Sequence, residues 1–157
     1  YGISLKDAAA ALKNAKGTDK RLAFENINGI LLLDDSYNAN PISMAAGLEV
    51  LKGIKAKRRI AVLADMYELG SDEIPGHIAV GKKAAECADL LVFAGKNANL
   101  MEEGARSVSD SKEILKFENA NAALAALSMI ESGDAVLVKG SNSTKISIVA
   151  EHIRNTK

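Results

Sequence analysis

Polar side chains that can bind ligands follow several short apolar runs of the sequence. Asp34 and Asp35 close the first run, Asp65 follows the second, Lys96 follows the third and Lys139 follows the last. Carboxylates accept hydrogen bonds from hydroxyl and amine groups, whereas lysines donate to anions. Two adjacent acids are more than the end of a strand needs for structure. This set therefore predicts a site for a polar, anionic ligand.

Short apolar runs and amphipathic or alanine-rich stretches alternate along most of the chain. The runs cover residues 30–33, 60–63, 90–93, 114–117 and 135–138, and the helical stretches lie near 42–54, 77–87, 97–106, 119–131 and 144–155. Continuous apolar runs are typical of strands that are buried on both faces. Their alternation with helices predicts an α/β fold with a doubly wound, mostly parallel sheet.

A hairpin adds a strand to this sheet. Residues 22–27 and 30–33 flank Asn28-Gly29, a dipeptide that accepts the positive φ of a tight turn. The sheet is therefore expected to have six strands, with one antiparallel edge strand from an N-terminal hairpin. Residues 4–13 are predicted to form a short helix, and residues 14–20 a linker.

The carboxyl ends of parallel strands meet at one edge of a sheet, where ligands of such folds bind. Asp35, Asp65, Lys96 and Lys139 are therefore expected to lie on one rim. Simpler roles remain open for their neighbours. Asn40 followed by proline is a good helix start, and Ser141 or Ser143 can cap the last helix.

Composition argues against several classes of function. The net charge is zero, so no overall field attracts nucleic acid or an anionic membrane. No apolar run approaches the length of a membrane span, and the first residues do not resemble a signal peptide. The single cysteine, Cys87, fits a reducing cytoplasm and a buried apolar position. His77 and His152 lack the spacing of metal ligands, so no metal site is expected.

The sequence lacks one feature that phosphate chemistry usually requires. The sequence contains no G-x-x-x-x-G-K-[ST] loop, the usual backbone cradle for nucleotide phosphates. Any reaction of ATP must therefore take its phosphate site from another part of a larger protein.

Three motifs carry a resemblance to a known family. Residues 34–41, DDSYNANP, with Ser43-Met44 after them, resemble a signature of the UDP-N-acetylmuramoyl-tripeptide–D-alanyl-D-alanine ligases. Residues 63–70, LADMYELG, resemble that family's L-G-D-M-x-E-L-G pattern, and His77 follows as in the family. Residues 138–141, VKGS, resemble a third pattern. The sequence departs from the family at Ala64, usually glycine, and at Asn142, commonly arginine.

The resemblance implies a domain arrangement and a reaction. Enzymes of this family have three domains, of which the third is Rossmann-like. Residues 1–20 would then end the ATP-binding domain and form the hinge, and residues 21–157 would form the C-terminal domain. The family uses ATP and Mg²⁺, held mainly by the central domain, to join D-alanyl-D-alanine to UDP-N-acetylmuramoyl-tripeptide in peptidoglycan synthesis. This chain is expected to be monomeric and cytoplasmic, and inactive alone because the P-loop is missing.

The resemblance also implies roles for individual residues. For ATP they are Arg21 on the phosphates, Asp35 on the ribose hydroxyls, and Tyr37, Asn38 and Asn40 along the nucleotide. The candidate donors to the dipeptide carboxylate are Lys96, Lys139, Ser141 and Asn142. Asp65, Glu68 and His77 are expected to orient the loops. No residue is assigned as a catalytic acid or base.

Two other functions stay open on the sequence. A phospho-acceptor receiver domain also has acids after its first strands and a lysine after its last. However, Gly140 follows Lys139 where receivers have proline. The other alternative is a non-catalytic domain that binds a partner protein.

Overall fold

The computed structural model describes residues 22–156 of the chain. Arg21, the predicted helix over residues 4–13 and the linker that follows it lie outside the described residues.

Six strands form one sheet: β1 (Ala23–Ile27), β2 (Ile30–Asp35), β3 (Arg59–Ala64), β4 (Leu90–Ala94), β5 (Glu113–Phe117) and β6 (Ala135–Lys139). Their order across the sheet is β1-β2-β6-β3-β4-β5. β1 pairs with β2 in antiparallel fashion across the Asn28-Gly29 turn, and the other pairs are parallel. The predicted fold class, including its antiparallel edge strand, is confirmed.

Helices cover both faces of the sheet. One face carries α1 (Pro41–Gly53), α2 (Glu73–Cys87) and α3 (Ala98–Arg106), and the other carries α4 (Ala120–Ala123) and α5 (Ser147–Asn155). Shorter 3₁₀ segments cover Gly70–Asp72, Leu124–Met129 and Asn142–Thr144. The sequence of α1 explains its start, because Asn40 accepts a hydrogen bond from the Ser43 amide and Pro41 follows it.

Two predicted helices are shorter than expected. The stretch 119–131 forms α4 and then a 3₁₀ segment. Ala120, Ala123 and Ala126 are its buried residues, and this three-residue spacing matches the period of a 3₁₀ helix. The last helix begins at Ser147, because Lys145 adopts a φ of 59° that interrupts the helix. Neither Ser141 nor Ser143 caps it, so this alternative role does not apply.

Alternate residues of each strand enter two separate apolar layers. Leu33, Leu63, Phe93 and Leu137 pack under α1, α2 and α3, whereas their neighbours along each strand pack under α4 and α5. This alternation follows from the two-residue period of a strand. The same period sends Asp34 and Asp35 to opposite faces of the sheet.

Two glycines let α2 and α3 pack closely. A Cβ atom on Gly81 would lie 1.9 Å from the Met101 carbonyl oxygen, and one on Gly104 would lie 2.0 Å from that of Ile78. Cys87, at the end of α2, is buried as expected, and burial raises the pKa of its thiol. Within residues 22–156, no helix combines the length and the apolar character that a bilayer crossing requires.

Candidate functional site

Asp35, Asp65, Lys96 and Lys139 meet at the carboxyl edge of the sheet. Lys139 at the end of β6 pairs with Asp35 at the end of β2. The amide of Ser141 donates to the Asp65 carbonyl, and the Asp65 carboxylate accepts from the Lys96 amide. The ends of β2, β6, β3 and β4 are thus joined by direct hydrogen bonds into one rim.

Lys139 and Asp35 form the innermost ion pair of this rim. Their side-chain atoms Nζ and Oδ2 lie 2.6 Å apart, and the Lys139 side chain is only 2% exposed. Lys139 also donates to the Asn38 carbonyl oxygen at 2.9 Å, and Asp35 accepts from the Leu22 amide at 3.0 Å. The ammonium group therefore fixes the loop after β2, and little of it is left for a ligand.

Asp34 does not belong to the rim. It points to the opposite face, where its carboxylate accepts from Arg154 of α5 at 2.7 Å and from the Ser36 hydroxyl at 2.6 Å. The expectation that both adjacent acids serve one site is wrong, because successive strand residues face opposite sides. Among the described residues, no three His, Cys, Asp or Glu side chains are grouped so as to hold a metal ion. The receiver interpretation, which requires clustered acids, finds no support in this geometry.

Asp65 organises the loop after β4. Its two carboxylate oxygens accept from the amides of Lys96 and Asn97, each at 3.0 Å, and the side chain is 1% exposed. Gly95 makes this approach possible. It has a φ of 125°, and a Cβ atom there would lie 2.4 Å from an Asp65 oxygen. Asp65 is therefore a buried support of the loop and is closed to solvent.

Ser141 and His77 hold the loop after β3. The Tyr67 amide donates to the Ser141 hydroxyl, and the Met66 amide donates to Nε2 of His77, both at 3.0 Å. The other ring nitrogen of His77 donates to the Glu73 carbonyl at 2.6 Å. This pattern requires the neutral tautomer that carries its proton on Nδ1. Ser141 is buried, so its hydroxyl supports the rim from below.

Lys96 is the exposed cation of the rim. Its ammonium lies 2.7 Å from the Glu73 carboxylate and 6.0 Å from the centre of the Tyr67 ring. Hydrogen bonds from Lys96 and then from Asn97 lower the pKa of the Glu73 carboxyl, and Glu73 in turn raises the pKa of Lys96. Burial, followed by the charge of Asp65, raises the pKa of Tyr67. The exposed ammonium group of Lys96 is suited to binding an anionic ligand.

Three open cavities lie along the rim. The first, about 370 Å³, is lined by Leu22, Asp35, Tyr37, Asn38, Ala39, Asn40, Ser43 and Lys139. The second, about 330 Å³, is lined by Tyr37, Asn38, Tyr67, Glu68, Ser141, Asn142 and Ser143. The third, about 300 Å³, includes Asp65, Tyr67, Gly95, Lys96, Asn119 and Ser143. Each is large enough for part of a nucleotide or a small peptide.

The sequence missed several residues of these walls. Tyr67 and Ser143 line two cavities each, and Ser43 lines the first. Tyr67 stands inside the second motif, which was the available signal. The pairing of Glu73 with Lys96 joins a helix start to a distant loop, and nothing in the spacing of the two residues reveals it.

Residues 20–142 match the family described as "Mur ligase, glutamate ligase domain". The chain belongs to this family. It is 34% identical over 173 residues to the UDP-N-acetylmuramoyl-tripeptide–D-alanyl-D-alanine ligase of Mycobacterium leprae, and the match covers 96% of this chain and 33% of that protein. This Mur ligase domain thus spans about a third of the length of its curated relative.

Solved structures agree with the family. A crystal structure of MurF from Acinetobacter baumannii matches with a TM-score of 0.84 and 30% identity, over 99% of this chain and 35% of that one. MurF ligase from Thermotoga maritima in complex with ADP matches with a TM-score of 0.74 and 25% identity, over 98% and 34%. The Mur ligase domain described above therefore has the Rossmann-like fold of these neighbours.

Proposed function

We propose that this chain is the C-terminal domain of an ATP-dependent ligase that adds D-alanyl-D-alanine to UDP-N-acetylmuramoyl-tripeptide in peptidoglycan synthesis. Residues 21–157 would form that domain, and residues 1–20 the end of the ATP-binding domain with the hinge. The observation that carries the proposal is the polar rim at the sheet edge, in a Mur ligase domain that has no phosphate loop of its own. The chain supplies one wall of a cleft, and the remainder of the enzyme would supply the other.

The first cavity is the proposed place for the ribose and adenine of ATP. Asp35 stays available as an acceptor for ribose hydroxyls, since its side chain is 17% exposed beside Lys139. Tyr37, Asn38 and Asn40 line the same cavity and would contact the nucleotide. Arg21 would reach the phosphates from the hinge.

The second and third cavities are the proposed place for the dipeptide. Lys96 and Asn142 are exposed and can donate to its carboxylate. Lys139 and Ser141 are buried and already bonded, so we assign them to the walls of the site. Asp65 and His77 would keep the loops in place, and Glu68 lines the dipeptide side with a φ of 63°, a conformation that costs energy outside glycine.

The reaction would be amide formation driven by ATP. The tripeptide carboxylate would attack the γ-phosphorus of ATP and displace ADP, which gives an acyl phosphate. The dipeptide amine would then attack the acyl carbon, lose a proton and expel inorganic phosphate. The residues of this chain would bind and orient the two substrates and exclude water as the domain closes. Mg²⁺ would be held mainly by the central, ATP-binding domain of the complete enzyme. We place the enzyme in the cytoplasm, as a monomer.

The test is ligation by the full-length protein that carries this chain. Phosphate release should require ATP, UDP-N-acetylmuramoyl-tripeptide and D-alanyl-D-alanine together, and the product should contain the dipeptide. The 157-residue chain alone should release no phosphate under the same conditions. Phosphate release that does not depend on the dipeptide would contradict the proposed substrate.

A further inference from the structure

A second polar network lies behind the rim, on the face of the sheet that α5 covers. Its centre is Asp34, whose side chain is completely buried. One carboxylate oxygen of Asp34 accepts from Nη2 of Arg154 at 2.7 Å. The other accepts from the Ser36 amide at 3.1 Å and from the Ser36 hydroxyl at 2.6 Å.

Arg154 is itself held in place. Its Nε donates to both carboxylate oxygens of Glu25 on β1, at 2.9 and 3.0 Å, while Nη2 reaches Asp34. A guanidinium has a fixed fork of donors, so it can satisfy two carboxylates at once without rotating. Arg154 thus joins the edge strand, β2 and α5 at a single point.

The connection to the site runs through Ser36. This residue is 1% exposed and begins the turn that carries Tyr37 and Asn38, both of which line the first cavity. On the other side of the turn, Lys139 donates to the Asn38 carbonyl. The turn is therefore fixed from two sides, by Lys139 within the rim and by Asp34 behind it.

We propose that Arg154 is a positioning residue, which acts through Asp34 and Ser36 to fix the turn over residues 36–38 that lines the nucleotide cavity. The effect on nucleotide binding rests on the function proposed above. The claim that Arg154 fixes the turn does not rest on that function, because it is argued only from the hydrogen bonds among Arg154, Asp34 and Ser36. Arg154 lies on a helix after the last motif and lines none of the three rim cavities, so its contribution would be made at a distance.

A purely structural role must be separated from this one, and the protein offers a matched control. Arg58 binds the equally buried Asp134 with the same 2.7 Å contact, and the Arg58 side chain is 32% exposed against 27% for Arg154. The Arg58–Asp134 pair lies at the opposite end of the sheet, and Arg58 also donates a hydrogen bond to the Met129 carbonyl. Loss of either arginine leaves a buried carboxylate without its cation, but only the loss of Arg154 should release the turn.

The experiment compares Arg154→Ala with Arg58→Ala in the full-length protein. Arg154→Ala should raise the KM for ATP by about tenfold with kcat changed much less, whereas Arg58→Ala should leave the KM near wild type. Hydrogen exchange of the Ser36 amide should accelerate by about tenfold in Arg154→Ala relative to Arg58→Ala. Arg154→Lys should restore part of both effects, because one ammonium can still bind Asp34.

Several results would overturn the proposal. Equal exchange at Ser36 in the two alanine variants would show that Arg154 does not fix the turn. Faster exchange at Ser36 with equal KM values for ATP would show that the turn does not position the nucleotide. If the wild-type enzyme ligates nothing, the function proposed above fails, and Ser36 exchange still decides whether Arg154 fixes the turn.

Discussion

Lys139 illustrates at the scale of one residue how the site is built before any ligand arrives. A buried ammonium is tolerated only when a charge and hydrogen bonds compensate for its lost hydration, and here Asp35 and the Asn38 carbonyl do so. Asp35 therefore has two tasks, since it neutralises Lys139 and is the proposed acceptor for the ribose. A single substitution of Asp35 will mix loss of stability with loss of binding.

We predict that Asp35→Ala lowers the free energy of unfolding by about 3 kcal/mol, because it leaves Lys139 buried without a counter-charge. The double variant Asp35→Ala/Lys139→Met should recover most of this loss in urea unfolding experiments. Glu131→Ala removes the partner of the exposed Lys57 and should cost less than about 1 kcal/mol. In the full-length enzyme the double variant should keep a raised KM for ATP. Recovery of a normal KM would remove the ribose assignment.

A second prediction concerns the ion pair of Glu73 with Lys96. The pKa of Glu73 is lowered from 4.5, so the pair should stabilise the fold fully above that pH and lose its effect as the pH falls through the lowered value. Lys96→Met should move the pKa of Glu73 back toward 4.5, only in part, since Asn97 still donates. Carboxyl NMR titration measures this, with Lys57→Met as the control that shifts Glu131 instead. An unchanged Glu73 titration would show that the pair does not form in solution.

At the scale of elements, the sequence predicted the strands well and the helix ends less well. The apolar runs marked all five parallel strands. In β2, β3, β4 and β6 the reason is that residues buried on both faces must be apolar, whereas the edge strand β5 is only partly buried and contains the exposed Lys116. The sequence did not predict that residues 119–131 divide into a short α-helix and a 3₁₀ segment, because alanine suits both. The three motifs located the rim, but the buried state of Lys139 and Ser141 depends on contacts between distant strand ends. The local sequence pattern therefore could not show whether Lys139 and Ser141 are free to donate to the dipeptide.

The packing of α2 on α3 yields a third prediction. Gly81→Ala or Gly104→Ala should destabilise the domain by about 3 kcal/mol, because the added methyl group would collide with a backbone carbonyl that cannot move alone. Gly53→Ala at the end of α1 is the control, since a Cβ atom there meets nothing within 4 Å. That change should be neutral or stabilise by about 0.5 kcal/mol. Thermal denaturation of the three variants measures the difference, and similar melting temperatures would contradict the close packing.

At the scale of the whole molecule, the strand order places the site where the direction of chain winding reverses. β6, the last strand, enters between β2 and β3, so its loop stands between theirs on the rim. Sequence alone does not give this order, because each parallel run fits any interior position. The strand order explains why motifs from the two ends of the chain line the same cavity.

The same architecture separates the two buried arginine–aspartate pairs, and this leads to the last prediction. Asp134 directly precedes β6, whereas Asp34 faces Val138 near the end of that strand. A rise of about 3.3 Å per residue puts the two pairs more than 10 Å apart. Each of Arg58→Ala and Arg154→Ala should lower the free energy of unfolding. The loss in the double variant should therefore equal the sum of the two single losses to within about 0.5 kcal/mol.

The rim pair should behave in the opposite way. Asp35→Ala and Lys139→Met remove the two partners of one contact, so their effects should fall short of the sum by more than about 1 kcal/mol. Urea unfolding of both sets of single and double variants makes the comparison. Strong coupling between Arg58 and Arg154 would mean that the two ends of the sheet are not held independently. Releasing the turn behind the site would then loosen the whole sheet, and the effect of Arg154 on the nucleotide cavity would no longer be local.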